Sequence, residues 1–126
     1  MVNFTILMLK TIDLFGERIT PFIFDTAFVI GMPKAVIVGY ARTPFGKFRG
    51  ALSSYSATEL GTMVVKELLD RTNIDPKSGD IDQIYMGQVL QSGAWQAPAR
   101  QVALGAGLPH STPCTTVNKV CGSSLK

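Results

Sequence analysis

From residue 33 onward, short apolar runs alternate with helical stripes, and the pattern predicts strand–helix–strand–helix–strand followed by the first turn of another helix. Lys34 to Tyr40 holds the continuous run Ala35-Val36-Ile37-Val38-Gly39, which suits a strand buried on both faces, as in a parallel sheet. Ser56-Ala57-Thr58-Glu59 is a capping box, a Ser three residues before a Glu whose side chains can each take the other's backbone N–H. The helix it opens carries Leu60, Met63, Val64 and Leu68 on one stripe and Glu59, Thr62, Lys66 and Asp70 on the other side, and should stop near Thr72-Asn73. On this pattern Met63 is a core residue. Gln83–Leu90 reads as the second strand, with Gly87 permitting a close backbone approach. Pro98 fits the first turn of a second helix and Gly107 the position just past its end. Ala99, Val102, Ala103 and Ala106 give that helix a small-sided face suited to tight burial. Thr115–Val120 is the third strand, ending at Cys121. With right-handed crossovers these elements make a mostly parallel three-strand βαβαβ unit of α/β class.

Residues 1–32 break this order. They hold five of the seven Phe and show no helix or strand period, and they carry two basic against three acidic residues, whereas residues 33–126 carry ten against six. Lys10, Asp13, Glu17, Arg18 and Asp25 interrupt every run that approaches the roughly eighteen apolar residues a membrane helix needs. The acids also fit neither a signal nor a transit peptide. The chain therefore divides into an N-terminal extension, 1–32, of no recognised fold, and a domain, 33–126. The extension is expected to have no function of its own, with Met32 as a natural start; the competing reading is a membrane or partner anchor.

The basic residues are scattered, without the runs and interleaved aromatics of a nucleic-acid surface, so neither nucleic acid nor membrane is an expected partner. Two Cys, at 114 and 121, make no disulfide framework, and with one His they make no zinc set. No metal is expected. Arg42–Gly50 is a loop with Arg42, Lys47 and Arg49 around Phe45 and Phe48. It reads either as an anion or subunit contact or as a solvated loop tucked in by its two aromatics.

Chemistry concentrates at Cys121. A strand that turns sharply into a helix at a Cys puts sulfur on the first helical turn, where backbone N–H groups and the helix dipole favour a negative charge. The thiolate is the reactive species. Gly122, Ser123 and Ser124 are small enough to admit a substrate and a second backbone, as in a nucleophile elbow with sulfur in place of oxygen.

Four segments in order, Val38–Gly46, Gly87–Gly93, Ala97–Gln101 and Asn118–Ser123, resemble the start of the thiolases, in particular their acetyl-CoA C-acetyltransferase branch. The resemblance runs from about Pro33 to Lys126 without a gap. It implies the incomplete first half of a layered αβαβα fold built of two similar halves, in a parent enzyme assembling as homo-dimer or homo-tetramer in the cytoplasm, or in the mitochondrial matrix of a eukaryote. It implies that Cys121 is the catalytic nucleophile, taking an acyl group from acyl-CoA as a thioester, with its backbone N–H donating to the oxyanion. No separate cofactor is expected, coenzyme A thioesters being substrates. The family's activating His, its second Cys and its Asn–His pair follow the nucleophile in sequence, as does most of the coenzyme A pocket. The resemblance therefore assigns no coenzyme A contact here and implies that these 126 residues alone are inactive and marginally folded. His110 matches no catalytic position and reads as a surface or capping residue. Cys114 reads as a small buried side chain, and Arg100 as a salt-bridge partner whose alternative is to hold a carbonyl. The rival readings are 3-ketoacyl-CoA thiolase, a ketoacyl synthase, and a non-catalytic fragment that pairs through exposed strand edges.

Overall fold

A computed structural model describes residues 5–12 and 34–123. The elements are β1 (Thr5–Ile12), β2 (Lys34–Arg42), α1 (Ala57–Thr72), β3 (Ile84–Gly87), α2 (Pro98–Gly105) and β4 (Cys114–Val117). From β2 onward the predicted alternation of strand and helix holds.

The expected three-strand parallel sheet does not form as one ladder. β3 and β4 pair in parallel, Ile84 beside Cys114 and Gly87 beside Val117. β2 instead pairs antiparallel with β1, from Thr5 opposite Arg42 to Ile12 opposite Lys34. The register slips between Met8 and Leu9, which leaves Val38 as the extra residue of a bulge. The backbone partner of β2 therefore comes from a segment in which no period marks a strand. This also corrects the expectation that β2 is buried on both faces. Ile37 is 60% exposed and Tyr40 72%, while Gly39 and the buried Ala41 meet the core closely. A Cβ on Gly39 would lie 2.7 Å from Thr72 Cγ2 and 3.0 Å from Leu68 Cδ1, so the absence of a side chain there lets α1 lie against the strand.

The capping box at α1 is complete. Glu59 N–H donates to Ser56 Oγ (3.2 Å) and Ser56 N–H donates to Glu59 Oε2 (2.7 Å). Asn73, at φ 52°, ends the helix where predicted, a left-handed position that Asn tolerates better than most residues. The buried positions fall in adjacent pairs one turn apart, Leu60 and Gly61, Val64 and Val65, Leu68 and Leu69. Met63 lies outside that band and is 45% exposed, so it is not the core residue the narrower stripe suggested. α1 is buried on two sides because it meets both β2 and α2; a Cβ on Gly105 of α2 would stand 2.8 Å from Thr62 Oγ1.

Pro98 opens α2 as expected, and Ala99, Val102, Ala103 and Ala106 are buried. Its end is a Schellman motif: Gly107 N–H donates to Leu104 O and Leu108 N–H to Ala103 O, with Gly107 at φ 89°. Arg100 makes no salt bridge among the described residues. Its Nη1 donates to Thr112 O (3.0 Å) and its Nη2 to His110 O (2.7 Å), because the loop into β4 presents carbonyls to it rather than a carboxylate. In the loop after β2, Phe45 and Phe48 are exposed rather than tucked in. Each lies against a guanidinium, Arg42 at 5.0 Å and Arg49 at 5.3 Å from the ring centres.

One pH dependence follows from the cap. Hydrogen bonds from the Ser56 backbone N–H first, and from its hydroxyl second, hold the Glu59 carboxyl below its ordinary 4.5. A lowered folded value means that this contribution is fully present above pH 4.5 and fades as pH falls through the folded value. Thermal melts between pH 6 and 3 are expected to fall less steeply for Glu59→Gln than for the parent chain. Parallel acid limbs would rule the cap out as a source of that pH dependence.

Candidate functional site

β3 and β4 end side by side, and the chain leaving β4 folds into a tight turn that carries Cys121. The strand stops at Val117, three residues short of the predicted Val120. Gly122 N–H donates to Lys119 O (3.0 Å) and Ser123 N–H to Val120 O (3.2 Å). The helix expected to continue from this turn lies outside the described residues.

Two side chains stitch the turn. Asn118 Oδ1 accepts from the Val120 N–H at 3.1 Å while Asn118 Nδ2 donates to Val89 O, in the loop after β3, at 3.2 Å. The buried Ser123 hydroxyl accepts from Lys119 N–H (2.9 Å) and donates to Val120 O (2.7 Å). These bonds surround a strained residue, since Val120 sits at φ 50°. Its branched Cβ makes that left-handed conformation costly, by about 1–3 kcal/mol, so it persists only where its surroundings impose it. Cys121, the next residue, is a free and exposed thiol.

Gly87 backs the turn. A Cβ there would lie 2.7 Å from Ser123 Cβ and 2.9 Å from Ser123 C, which is the close backbone approach its place in the strand suggested. Beside it Gln88 is buried; its Nε2 donates to Leu90 O (2.8 Å), and its Oε1 has no partner among the described residues. The following loop holds two further left-handed non-glycine residues, Trp95 at φ 60° and Ala97 at φ 47°. Thr116 Oγ1 of β4 then takes the Ala99 N–H at the start of α2 (3.1 Å). Loop, helix start and strand end are thereby tied together around the exit of β4.

The other candidates lie elsewhere. His110 is exposed and precedes β4, whereas Cys121 follows it, so the strand separates them. Cys114, at the start of β4, is half-buried with its thiol donating to Thr112 O (3.2 Å). No group of three His, Cys, Asp or Glu able to hold a metal ion occurs among the described residues. Sequence reasoning placed Asn118 and Val120 inside the strand and so missed the stitching of the turn. The available signal was an Asn, a residue that bonds its own backbone two positions on, just ahead of a lone exposed Cys.

Residues 35–126 match the family model described as thiolase, N-terminal domain. The chain is 52% identical over 95 residues to the cytosolic acetyl-CoA acetyltransferase of Gibberella zeae, covering 75% of this chain and 24% of that protein. It is 53% identical over 93 residues to the mitochondrial acetyl-CoA acetyltransferase of Mus musculus, covering 74% and 22%. Among solved structures, it resembles a thiolase of Ascaris suum in complex with coenzyme A, with TM-score 0.62 and 40% identity over 66% of this chain and 21% of that one. The chain thus spans about a quarter of the length of the curated relatives it matches.

Proposed function

Because this chain belongs to the thiolase family, we propose that it carries the acyl-accepting half of an acetyl-CoA C-acetyltransferase, with Cys121 as the nucleophile. The observation that carries this reading is an exposed thiol on a stitched turn at the end of a parallel strand, within the segment that matches the family.

In the first step the Cys121 thiolate attacks the carbonyl of an acyl-CoA. A carbon–sulfur bond to Cys121 forms, that to coenzyme A breaks, and coenzyme A leaves as its thiol after taking a proton. Donors aimed at the oxyanion, the Cys121 backbone N–H among them by the family pattern, would stabilise the tetrahedral intermediate. In the second step an acetyl-CoA loses an α-proton to a base and its carbanion attacks the Cys121 thioester. Acetoacetyl-CoA forms and the thiolate returns. Each step exchanges one thioester for another or for a carbon–carbon bond, so the sequence runs in both directions, the reverse being thiolysis of a 3-ketoacyl-CoA. Coenzyme A thioesters are substrates here, and no further cofactor enters. The expected homo-dimer or homo-tetramer belongs to the parent enzyme. The cytoplasm is the proposed location, with the mitochondrial matrix as its alternative; relatives named for both exist, and no helix among the described residues is long and apolar enough to cross a membrane.

Incubation of the chain with acetyl-CoA, followed by acid quench and mass spectrometry, is expected to place an acetyl group on Cys121 faster than on Cys114. Turnover is not expected, because His110 is the only His in these 126 residues and lies on the far side of β4. Equal acetylation of the two thiols would reject the nucleophile assignment. Thiolysis of acetoacetyl-CoA by the chain, lost in Cys121→Ala, would reject the inactivity.

A further inference from the structure

We infer that Asn118 is a positioning residue for the Cys121 nucleophile, acting through the left-handed conformation of Val120. This rests on the acyl-acceptor reading of Cys121 given above. A carboxamide is the side chain that can donate and accept at once in a fixed plane, and both ends of this one are used. Its oxygen accepts from the N–H of Val120, the residue just before the sulfur (3.1 Å), and its nitrogen donates to the carbonyl of Val89 (3.2 Å). The bridge ties the turn after β4 to the loop after β3. The two strands are already paired through Gly87 and Val117, and Gln88 N–H donates to Val117 O (3.0 Å).

Val120 is where such a bridge matters. Its φ of 50° is a conformation that a β-branched residue leaves readily for the extended region. Reverting to an extended conformation would swing Cys121 away from the turn that Ser123 closes. Ser123 holds the C-terminal side of that turn through Lys119 N–H and Val120 O; among the described residues Asn118 is what ties the Val120 N–H to the neighbouring strand's loop. Its role is therefore to fix the direction of the sulfur rather than to touch a substrate.

The test compares alkylation of Cys121 by iodoacetamide in the full 126-residue chain, with Cys114 as internal reference, across Asn118→Ala, Asn118→Asp, Val120→Gly and the Asn118→Ala/Val120→Gly pair. Asn118→Ala is expected to slow Cys121 relative to Cys114, as the sulfur leaves the fixed place that the turn gives it. Asn118→Asp keeps the acceptor for Val120 N–H and should recover part of that loss. Glycine adopts positive φ without the side-chain penalty, so in the Val120→Gly background removing Asn118 should have little further effect. If Asn118→Ala opens the chain as a whole, half-buried Cys114 will react faster, and Asn118→Asp against the Val120→Gly background then gives the answer. An unchanged Cys121 rate in Asn118→Ala, or an equal loss with and without Val120→Gly, overturns the inference. A parent chain in which Cys121 reacts no faster than Cys114 instead overturns the nucleophile reading beneath it.

Discussion

Replacing Leu68 by alanine is expected to leave the chain largely unfolded at 25 °C. Leu68 has no solvent exposure and sits where α1 bears on β2, with its Cδ1 3.0 Å from the position a Cβ on Gly39 would take. It belongs to the cluster that joins Ala41 of β2, Met86 of β3, and Ala99 and Val102 of α2. Removing a fully buried Leu side chain costs about 2–5 kcal/mol, the higher figures applying where the surroundings cannot collapse. Here the surroundings are a helix and a strand held at a glycine contact, so little collapse is available. Whole domains are stable by only about 5–15 kcal/mol, and this one leaves Ile37, Tyr40, Leu90 and Val120 exposed. Urea titration followed by circular dichroism should find the transition lost or moved close to zero denaturant. A midpoint within experimental error of the parent's would show that the cluster does not hold α1 in place. Met63→Ala, on the exposed side of the same helix, should move the midpoint little.

Gly87→Ala is expected to disturb the Cys121 turn more than any other single methyl group added near it. The new Cβ would stand 2.7 Å from Ser123 Cβ and 2.9 Å from Ser123 C, below the separation at which two carbons can rest. Neither atom is the end of a flexible side chain, so the turn itself must move. Overpacking of this kind costs about 1–3 kcal/mol, and it also displaces the hydroxyl that bonds Lys119 and Val120. Slower alkylation of Cys121 with unchanged helix content is the expected result. Gly122→Ala provides the contrast: it is nearer in sequence to the thiol, yet among the described residues its Cβ would meet only Lys119 O, at an ordinary 3.5 Å. If the two variants alkylate Cys121 at the same rate, the contact behind the turn has no bearing on the thiol.

What was legible in the sequence was carried by local signals. The capping box at Ser56 and Glu59, the Pro98 start and Gly107 end of α2, the small-sided face of that helix and the tight place of Gly87 all depend on a few neighbouring residues, and each stands where its chemistry put it. What was not legible depends on distant ones. No local pattern says that β2 takes β1 as its hydrogen-bonded neighbour. A stripe drawn on α1 alone assumed one buried face, and the second face, against α2, turned Met63 outward. At the site, Cys121 was picked out by its neighbours in sequence, but the turn beneath it was read as strand. Thr115, Thr116, Val117 and Val120 all favour extended backbone, and only the carboxamide of Asn118 and the hydroxyl of Ser123 reverse that preference at Val120.

Among the described residues the two ladders, β1 with β2 and β3 with β4, share no hydrogen-bonded strand; the packing of α1 against β2 and α2 is what spans them. With no shared strand to couple them, the two ladders are joined through one buried cluster, so loosening α1 is expected to release both. Native-state hydrogen exchange is therefore expected to show the amides of β2, β3 and β4 opening together with those of α1.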